Sequence, residues 1–113
     1  MATIPDDVWQ RITNIAALLA AGDLDSLEAT GETGRCRKDD LKRRIAEYGR
    51  TLVALPAEAR AVAEAFDRPG GELLVDVPLW TAEEGRSDLT LQVVGVGSDG
   101  GAWTVVLHDL LVP

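Results

Sequence analysis

The chain has 113 residues, enough for one domain and short for two, and its apolar fraction of 46% fits a packed core. A net charge of −8 argues against nucleic acid as a partner, because phosphate neutralisation needs a basic surface. The single cysteine, the acidic start and the lack of an apolar run long enough to span a bilayer predict a cytoplasmic, bacterial-type protein that does not bind membranes.

The first segment has the pattern of an amphipathic helix. Thr3 is placed to act as its N-cap, and Gly22 predicts its end through a left-handed cap. Between them, apolar residues recur at helical spacing at Val8, Ile12, Ile15 and Leu19.

Three more helices are expected before residue 70. A short one covers residues 23–29, a third covers residues 37–48, and Pro56 opens a fourth that runs through Phe66. Residues 51–55 are ambiguous between a short extended piece and a link into the fourth helix. The Pro-Gly-Gly run within residues 68–71 is a firm break.

After residue 71 the apolar period changes from helical to alternating. Three strands follow, with turns at residues 82–87 and 97–101. One face of these strands carries Leu73, Val75, Val77 and Leu79, then Leu89, Leu91 and Val93, then Trp103, Val105 and Leu107. The sequence therefore predicts an α+β fold in which about four N-terminal helices pack on one face of a C-terminal three-stranded antiparallel meander. We expect a single domain over residues 1–113, with a helical half (1–68) and a sheet half (72–112).

The opposite face of this meander is more apolar than a solvated face would be. Alternation assigns it Leu74, Asp76, Pro78 and Trp80, then Thr90, Gln92, Val94 and Val96, then Thr104, Val106, His108 and Leu110. A homodimer, a protein partner, a ligand pocket or partial cover by the C-terminal segment would each account for that composition.

The densest polar cluster lies between the first two strands and gives the candidate binding residues. They are Trp80, Glu83, Glu84, Arg86 and Asp88. Trp and Arg are enriched at the energetic centres of protein interfaces. The alternative is a self-bonded turn in which Arg86 pairs with one of the neighbouring acids.

Signals for catalysis are few. Asp76 and His108 are both assigned to the second sheet face, where they could act as orienter and general base in a pocket; the alternative is a structural histidine. A lone histidine beside Asp109 lacks the spaced ligand set of a zinc site, so no metal and no cofactor is expected. Cys36 is expected to pack inward as a small apolar residue.

Positive charge is concentrated in residues 35–50, which hold seven of the eleven basic residues and only three acids. This segment is either a solvated helix face or a patch for an acidic partner or for the acidic remainder of the chain.

Residues 79–91, LWTAEEGRSDLTL, resemble the signature of a family of small bacterial proteins catalogued as a domain of unknown function. Residues 34–35, 48–49 and 109–112 are also similar to that family, so the resemblance spans most of residues 20–113. It implies no known activity.

A second resemblance concerns the fold. Residues 18–27 are similar to the end of the first helix in nuclear-transport-factor-2-like domains. That resemblance implies a cone-like α+β fold with a curved sheet around a pocket, a fold that hosts isomerases, dehydratases, binding modules and immunity proteins.

These features favour a protein-binding module over an enzyme, in the form of an immunity- or antitoxin-like protein that binds a basic partner. The charge of −12 outside residues 35–50, the lack of catalytic machinery and the half-apolar second face support this hypothesis. One alternative is a small-ligand-binding protein or a lyase- or isomerase-type enzyme with a sheet-lined pocket. Another is a self-associating structural domain.

Overall fold

A computed structural model describes residues 2–98 and 100–113 of the chain. In these residues the helices are α1 (Asp6–Ala21), α2 (Leu24–Ala29), α3 (Lys38–Tyr48) and α4 (Ala59–Val62). The strands are β1 (Leu52–Val53), β2 (Glu64–Arg68), β3 (Glu72–Thr81), β4 (Gly85–Gly97) and β5 (Trp103–Leu111). The protein is therefore of the mixed α+β class, as predicted. Asp99, within the predicted turn at 97–101, and Met1 lie outside the described residues.

Helix α1 forms along the predicted apolar stripe. It buries Val8, Ile12, Ile15, Ala16 and Leu19, and Gly22 ends it at φ 70°. The predicted N-cap was wrong: Pro5 occupies that position, and no side chain caps the helix. Pro5 suits this place because it has no N–H to leave unpaired in the first turn.

The predicted fourth helix was also wrong beyond its first turn. After α4, Ala63 turns to extended backbone, and β2 pairs antiparallel with β3 from Glu64↔Asp76 to Arg68↔Glu72. Gly70 and Gly71 adopt φ values of 86° and 78°, which close the hairpin tightly. Strand pairing thus overrides the helical propensity of the alanine-rich segment. The sheet consequently has five strands among the described residues, and two of them precede residue 72.

The sheet is antiparallel and curls into a half-barrel, with strand order β1-β3-β4-β5. Strands β1 and β2 both pair with the edge of β3 that faces away from β4. Strand β1 pairs with residues 80–81 of β3, and β2 pairs with residues 72–76. Residues 77–79 of β3 therefore have no strand beside them on that edge, and α4 contacts β3 instead. Pro78 falls in this gap, a position that suits a residue with no N–H to donate to a neighbouring strand.

The inner face of the sheet and the helices share one hydrophobic core. Its members come from α1, α2, α3 and all five strands, together with Ile4 and Ala63. Trp103 lies over Gly95, where an added Cβ would come within 3.3 Å of the ring. The opposite face, which we call the outer face, contributes no residue to this core.

The segment between α2 and α3 lies along the free edge of β5. The Leu107 N–H donates to the Glu32 carbonyl at 2.7 Å, and the Cys36 thiol lies 3.5 Å from the His108 carbonyl oxygen. Gly34 approaches so closely that a Cβ there would lie 2.4 Å from the Leu107 oxygen. Glycine is therefore required at this contact.

A bulge in β5 changes which face the last residues occupy. Gln92 pairs with Asp109 while Val93 pairs with Leu107, so His108 is an extra residue in the strand. The extra residue reverses the alternation after it. Leu110 is consequently fully buried in the core, and its predicted place on the outer face was wrong.

Among the described residues, no helix has both the length and the apolar character needed to cross a bilayer.

Candidate binding surface

The β3–β4 turn is tied to the end of α3 and to the residues that follow it, chiefly through Glu84. The Tyr48 hydroxyl oxygen lies 2.9 Å and 3.2 Å from the two Glu84 carboxylate oxygens and accepts the Asp88 N–H at 3.1 Å. The Thr81 hydroxyl donates to Glu84 Oε2 at 3.1 Å and accepts the Glu84 N–H at 3.0 Å. Arg50 adds an ion pair at 3.8 Å. These contacts hold Glu84 against its own chain.

Glu83 makes the second half of this connection. Its carboxylate accepts the Thr51 N–H at 2.8 Å and the Thr51 hydroxyl at 2.9 Å. These hydrogen bonds from Thr51 lower the pKa of Glu83 below its ordinary value. Since both carboxylates of the turn bond inward, we call the set Tyr48, Thr51, Thr81, Glu83 and Glu84 the hairpin clamp.

Trp80 and Arg86 lie on the other side of the same hairpin. They pair across β3 and β4 on the outer face, beyond an irregularity in which β4 has two extra residues. The Ser87 hydroxyl fills this irregularity, donating to the Leu79 carbonyl at 2.8 Å and accepting the Leu89 N–H at 3.2 Å. Within the described part of the chain, Arg86 forms no ion pair with any acid of the turn.

A groove of about 550 Å³ opens beside this pair, between the hairpin and α4. We call it the Trp80 groove. It is lined by Glu58, Ala61, Val62, Trp80, Gly85 and Arg86.

An apolar row crosses the outer face over four strands. Phe66 pairs with Leu74, Leu74 with Val94, and Val94 with Val106. We call these four residues the outer apolar row. None belongs to the core that the helices share with the sheet, although Val94 is only 7% exposed. No described helix covers the row, but the segment between α2 and α3 lies against Val106; Phe66 is exposed, and Leu74 and Val106 are half-buried.

The exposed apolar residues of the described chain are concentrated on this face. Four large apolar side chains are at least one third exposed, and Phe66 (40%), Val96 (42%) and Val53 (37%) lie on the outer face by their strand register. The fourth is Val112, near the end of the chain. Phe66 and Val96 lie near one end of β3, and Val53 lies near the other end, beside Trp80. Exposed apolar surface is typical of interaction sites.

Carboxylates flank the row. Glu64 stands directly opposite Asp76 across β2 and β3, and Gln92 faces Asp76 from β4. Like charges in direct cross-strand pairs are unfavourable. Asp76 Oδ1 is buried and has no hydrogen-bond partner among the described residues. This acidic pair is placed to attract cationic groups.

The two pocket candidates, Asp76 and His108, are not brought together. Strand β4 lies between them, which sets their backbones roughly 10 Å apart. None of the grooves described for residues 2–98 and 100–113 is lined by both. The geometry therefore does not form the predicted base-and-orienter pair. In the same residues, no group of three or more His, Cys, Asp or Glu side chains is placed to hold a metal ion.

Much of the basic segment 35–50 is neutralised within the chain. Lys38 pairs with Asp25 at 2.7 Å, and Arg44 pairs with Asp109 at 2.6 Å while also donating to the Leu110 carbonyl. Arg43 pairs within its own helix, with Asp40 and Glu47. Arg50 pairs with Glu84 in the hairpin clamp.

Residues 16–113 match the family model described as Domain of unknown function (DUF7668). The chain belongs to this family. The predicted membership of a domain-of-unknown-function family is thereby confirmed, whereas the signature role of residues 79–91 and the likeness to nuclear-transport-factor-2-like domains stay predictions. Comparison with curated proteins and with solved structures gave no match.

The DUF7668 match includes all five strands, so the outer apolar row, the hairpin clamp and the Trp80 groove lie within the family region.

Sequence reasoning missed the part of this surface that β1 and β2 contribute. Phe66 and Glu64 were assigned to a helix, and Val53 to an ambiguous segment. The available signal was the run Pro69-Gly70-Gly71 immediately before an evident strand, which is typical of a hairpin turn.

Proposed function

We propose that this protein is a protein-binding module whose outer sheet face binds a partner protein. The outer apolar row carries the proposal. It places four apolar side chains side by side across four strands and outside the molecule's own core, and Phe66, at 40%, is its most exposed member. Such a stripe would be desolvated by a partner's side chains, and roughly 25 cal/mol is gained for each Å² of apolar surface removed from water.

Charge indicates the chemistry of the partner. By strand register the outer face carries the carboxylates Glu64, Glu72, Asp76 and Asp109, of which Asp109 is paired with Arg44, against the guanidinium groups of Arg68 and Arg86. Arg68 is already paired with Glu72 at 3.9 Å. A basic partner would be steered toward this face, because complementary potentials raise association rates. A second copy of this chain would bring another net charge of −8 and is therefore disfavoured.

We favour one biological role for such a module, that of an immunity- or antitoxin-like protein that binds and masks a basic toxin. It requires a small acidic protein with a rigid apolar face and no catalytic group of its own. Two observations support this role. Acidic residues are in excess outside residues 35–50, and several basic residues of that segment form ion pairs within the chain.

The test is affinity capture of the tagged protein from its native lysate with quantitative mass spectrometry. Phe66→Lys places a positive charge on the outer apolar row, and Val112→Lys makes the same charge change at an exposed valine elsewhere. We expect one stoichiometric basic protein to be captured by the wild type and by Val112→Lys, and to be lost with Phe66→Lys.

Two outcomes would overturn the proposal. Equal capture by all three proteins would show that the partner binds another surface. Recovery of the bait alone at every concentration, together with a thermal shift on adding a small-molecule fraction, would instead indicate ligand binding. Thermal unfolding of both variants verifies that each is folded.

A further inference from the structure

Arg86 is an unusual charge for its position in the chain. It is the sole lysine or arginine after residue 68, and acids stand three and two residues before it and two after it. An arginine on a loop so rich in carboxylates would ordinarily pair with one of them. Within the described residues, no such pair forms.

The reason lies in the hairpin clamp. Glu83 and Glu84 are turned toward Thr51 and Tyr48 by hydrogen bonds of 2.8–3.2 Å, away from the side on which Arg86 stands. Arg86 shares the outer face with Trp80 instead. The clamp therefore leaves an exposed guanidinium group beside a half-buried indole.

The Trp80 groove supplies an apolar wall next to this cation. Ala61 and Val62 of α4 face the groove from one side, and Trp80 and Gly85 from the other. Glu58 stands on the α4 side and forms no ion pair with Arg86 among the described residues. The groove thus has apolar walls, with a cation at its hairpin end and an anion at its helix end.

We propose that the Trp80 groove receives an acidic residue of the partner protein together with the apolar side chain next to it. The carboxylate binds the guanidinium of Arg86, and the apolar side chain packs on Trp80, Ala61 and Val62. This inference rests on the proposed function, since it assigns the groove to the same partner. Carboxylate and guanidinium form charge-assisted, often bidentate hydrogen bonds, which give the contact both orientation and strength.

The distance between the outer apolar row and the Trp80 groove predicts where basic and acidic groups lie on the partner's surface. Asp76 and Trp80 lie four residues apart on β3, which corresponds to roughly 13 Å along an extended strand. The partner therefore carries basic groups that face Glu64 and Asp76, and an acidic group about 13 Å away that faces Arg86.

The experiment uses the full chain and a peptide pair rather than the unidentified partner. A capped Gly-Phe-Asp-Gly tetrapeptide and its Gly-Phe-Asn-Gly isostere are titrated into ¹⁵N-labelled protein, and the indole N–H of Trp80 is followed by NMR. We expect the acidic peptide to bind about fivefold more tightly than its amide isostere, as for a surface charge-assisted hydrogen bond. The preference for the acidic peptide over its amide isostere should be reduced but still present in Arg86→Lys, and absent in Arg86→Gln.

Two further variants sharpen the test. Arg35→Gln removes an exposed cation outside the groove and should leave the preference unchanged. Glu58→Gln removes the anion of the groove and should tighten binding of the acidic peptide, because it removes a like charge.

The inference would be overturned if both peptides bind equally, or if Arg86→Gln keeps the preference. It would also be overturned if the Trp80 signal moves with protein concentration in the absence of peptide, since a second copy would then occupy the groove. These outcomes leave the outer apolar row untouched, so a failure here is distinguishable from a failure of the capture experiment.

Discussion

At the scale of single residues, several positions of the conspicuous 79–91 motif serve the fold. Glu83, Glu84 and Ser87 each satisfy backbone or side-chain groups of the same chain. Trp80 and Arg86 differ because their side chains line an open groove. The turn residues Glu83 and Glu84 thus bond to their own chain, whereas Trp80 and Arg86, which pair across β3 and β4, lie on the outer face.

Gly34 offers a sharp test of the contact between the α2–α3 segment and β5. In Gly34→Ala, the new Cβ would meet the Leu107 carbonyl oxygen at 2.4 Å and would also sit at φ 57°. We expect a loss of at least about 2 kcal/mol in the free energy of unfolding, measured by urea denaturation.

Gly31→Ala is the matched control for that substitution. It also has a positive φ, 78°, but nothing lies within 4 Å of the added Cβ. It should therefore cost only the backbone strain of about 1 kcal/mol. Equal losses in the two variants would contradict the close approach of Gly34 to β5.

The carboxylate of Glu83 predicts a pH dependence of stability. Its hydrogen bonds to Thr51 exist only in the folded state, so its pKa is lower folded than the ordinary value of 4.5. The stabilisation is complete above the unfolded value and is lost as pH falls through the lowered folded pKa. Glu83→Gln should therefore be less stable than the wild type at neutral pH.

Urea midpoints followed by tryptophan fluorescence from pH 7 to roughly pH 3 measure this difference. The difference in urea midpoint between the wild type and Glu83→Gln should disappear as the pH falls below 4.5. Glu58→Gln, which alters an exposed glutamate outside the hairpin clamp, is the control. A gap that stays constant across the range would show that the Glu83–Thr51 contact does not form in solution.

At the scale of elements, the hairpin clamp joins α3 and β1 to the β3–β4 turn. Strand β1 has only two residues, Leu52 and Val53, and pairs with the end of β3. The Ala82 N–H donates to the Thr51 carbonyl at 2.8 Å, which extends this short pairing by one bond. The clamp therefore compensates for the small number of ladder bonds in β1.

Tyr48→Phe removes the hydroxyl that links Glu84 to the Asp88 N–H. We expect stability to fall by about 1 kcal/mol, the usual contribution of such a hydrogen bond. Amide hydrogen exchange at Asp88 should accelerate more than exchange in the centre of β4. Unchanged exchange at Asp88 would show that the hydroxyl does not protect that amide.

Helices and strands with a strong apolar periodicity could be predicted from the sequence, whereas those with a weak periodicity could not. The stripe of α1 and the alternation in β3, β4 and β5 each extend over nine or more residues of the structure. Strand β2 has five residues in an alanine-rich stretch, so its conformation is decided by pairing with β3 rather than by its own pattern.

One part of the candidate surface could likewise be predicted from the sequence, and another part could not. Alternation predicts Trp80 on the outer face but does not place Arg86, which the sequence pattern puts in the turn at 82–87. Arg86 joins Trp80 on that face because β4 begins at Gly85. The predicted meander already separates Asp76 from His108 by its middle strand, whereas the bulge that makes His108 an extra residue in β5 has no signal in local composition. The outer apolar row was hidden because Phe66 belongs to the strand that was predicted as helix.

At the scale of the whole molecule, the basic and acidic parts of the sequence are largely matched within the fold. Lys38, Arg44 and Arg50 of the basic segment neutralise acids outside it, one of them on β5 and one in the hairpin clamp. The remaining excess of carboxylates includes Glu64 and Asp76 beside the outer apolar row. An acidic face around an apolar centre is therefore what the molecule presents to a partner.

Hydroxyl-radical footprinting of the captured complex would show whether a partner covers this face. Phe66 and Val112 are 40% and 55% exposed in the chain alone, so both are open to oxidation. We expect oxidation of Phe66 to fall strongly in the complex while that of Val112 stays the same. Undiminished oxidation of Phe66 in a stoichiometric complex would show that the outer apolar row remains in water and that the partner binds elsewhere.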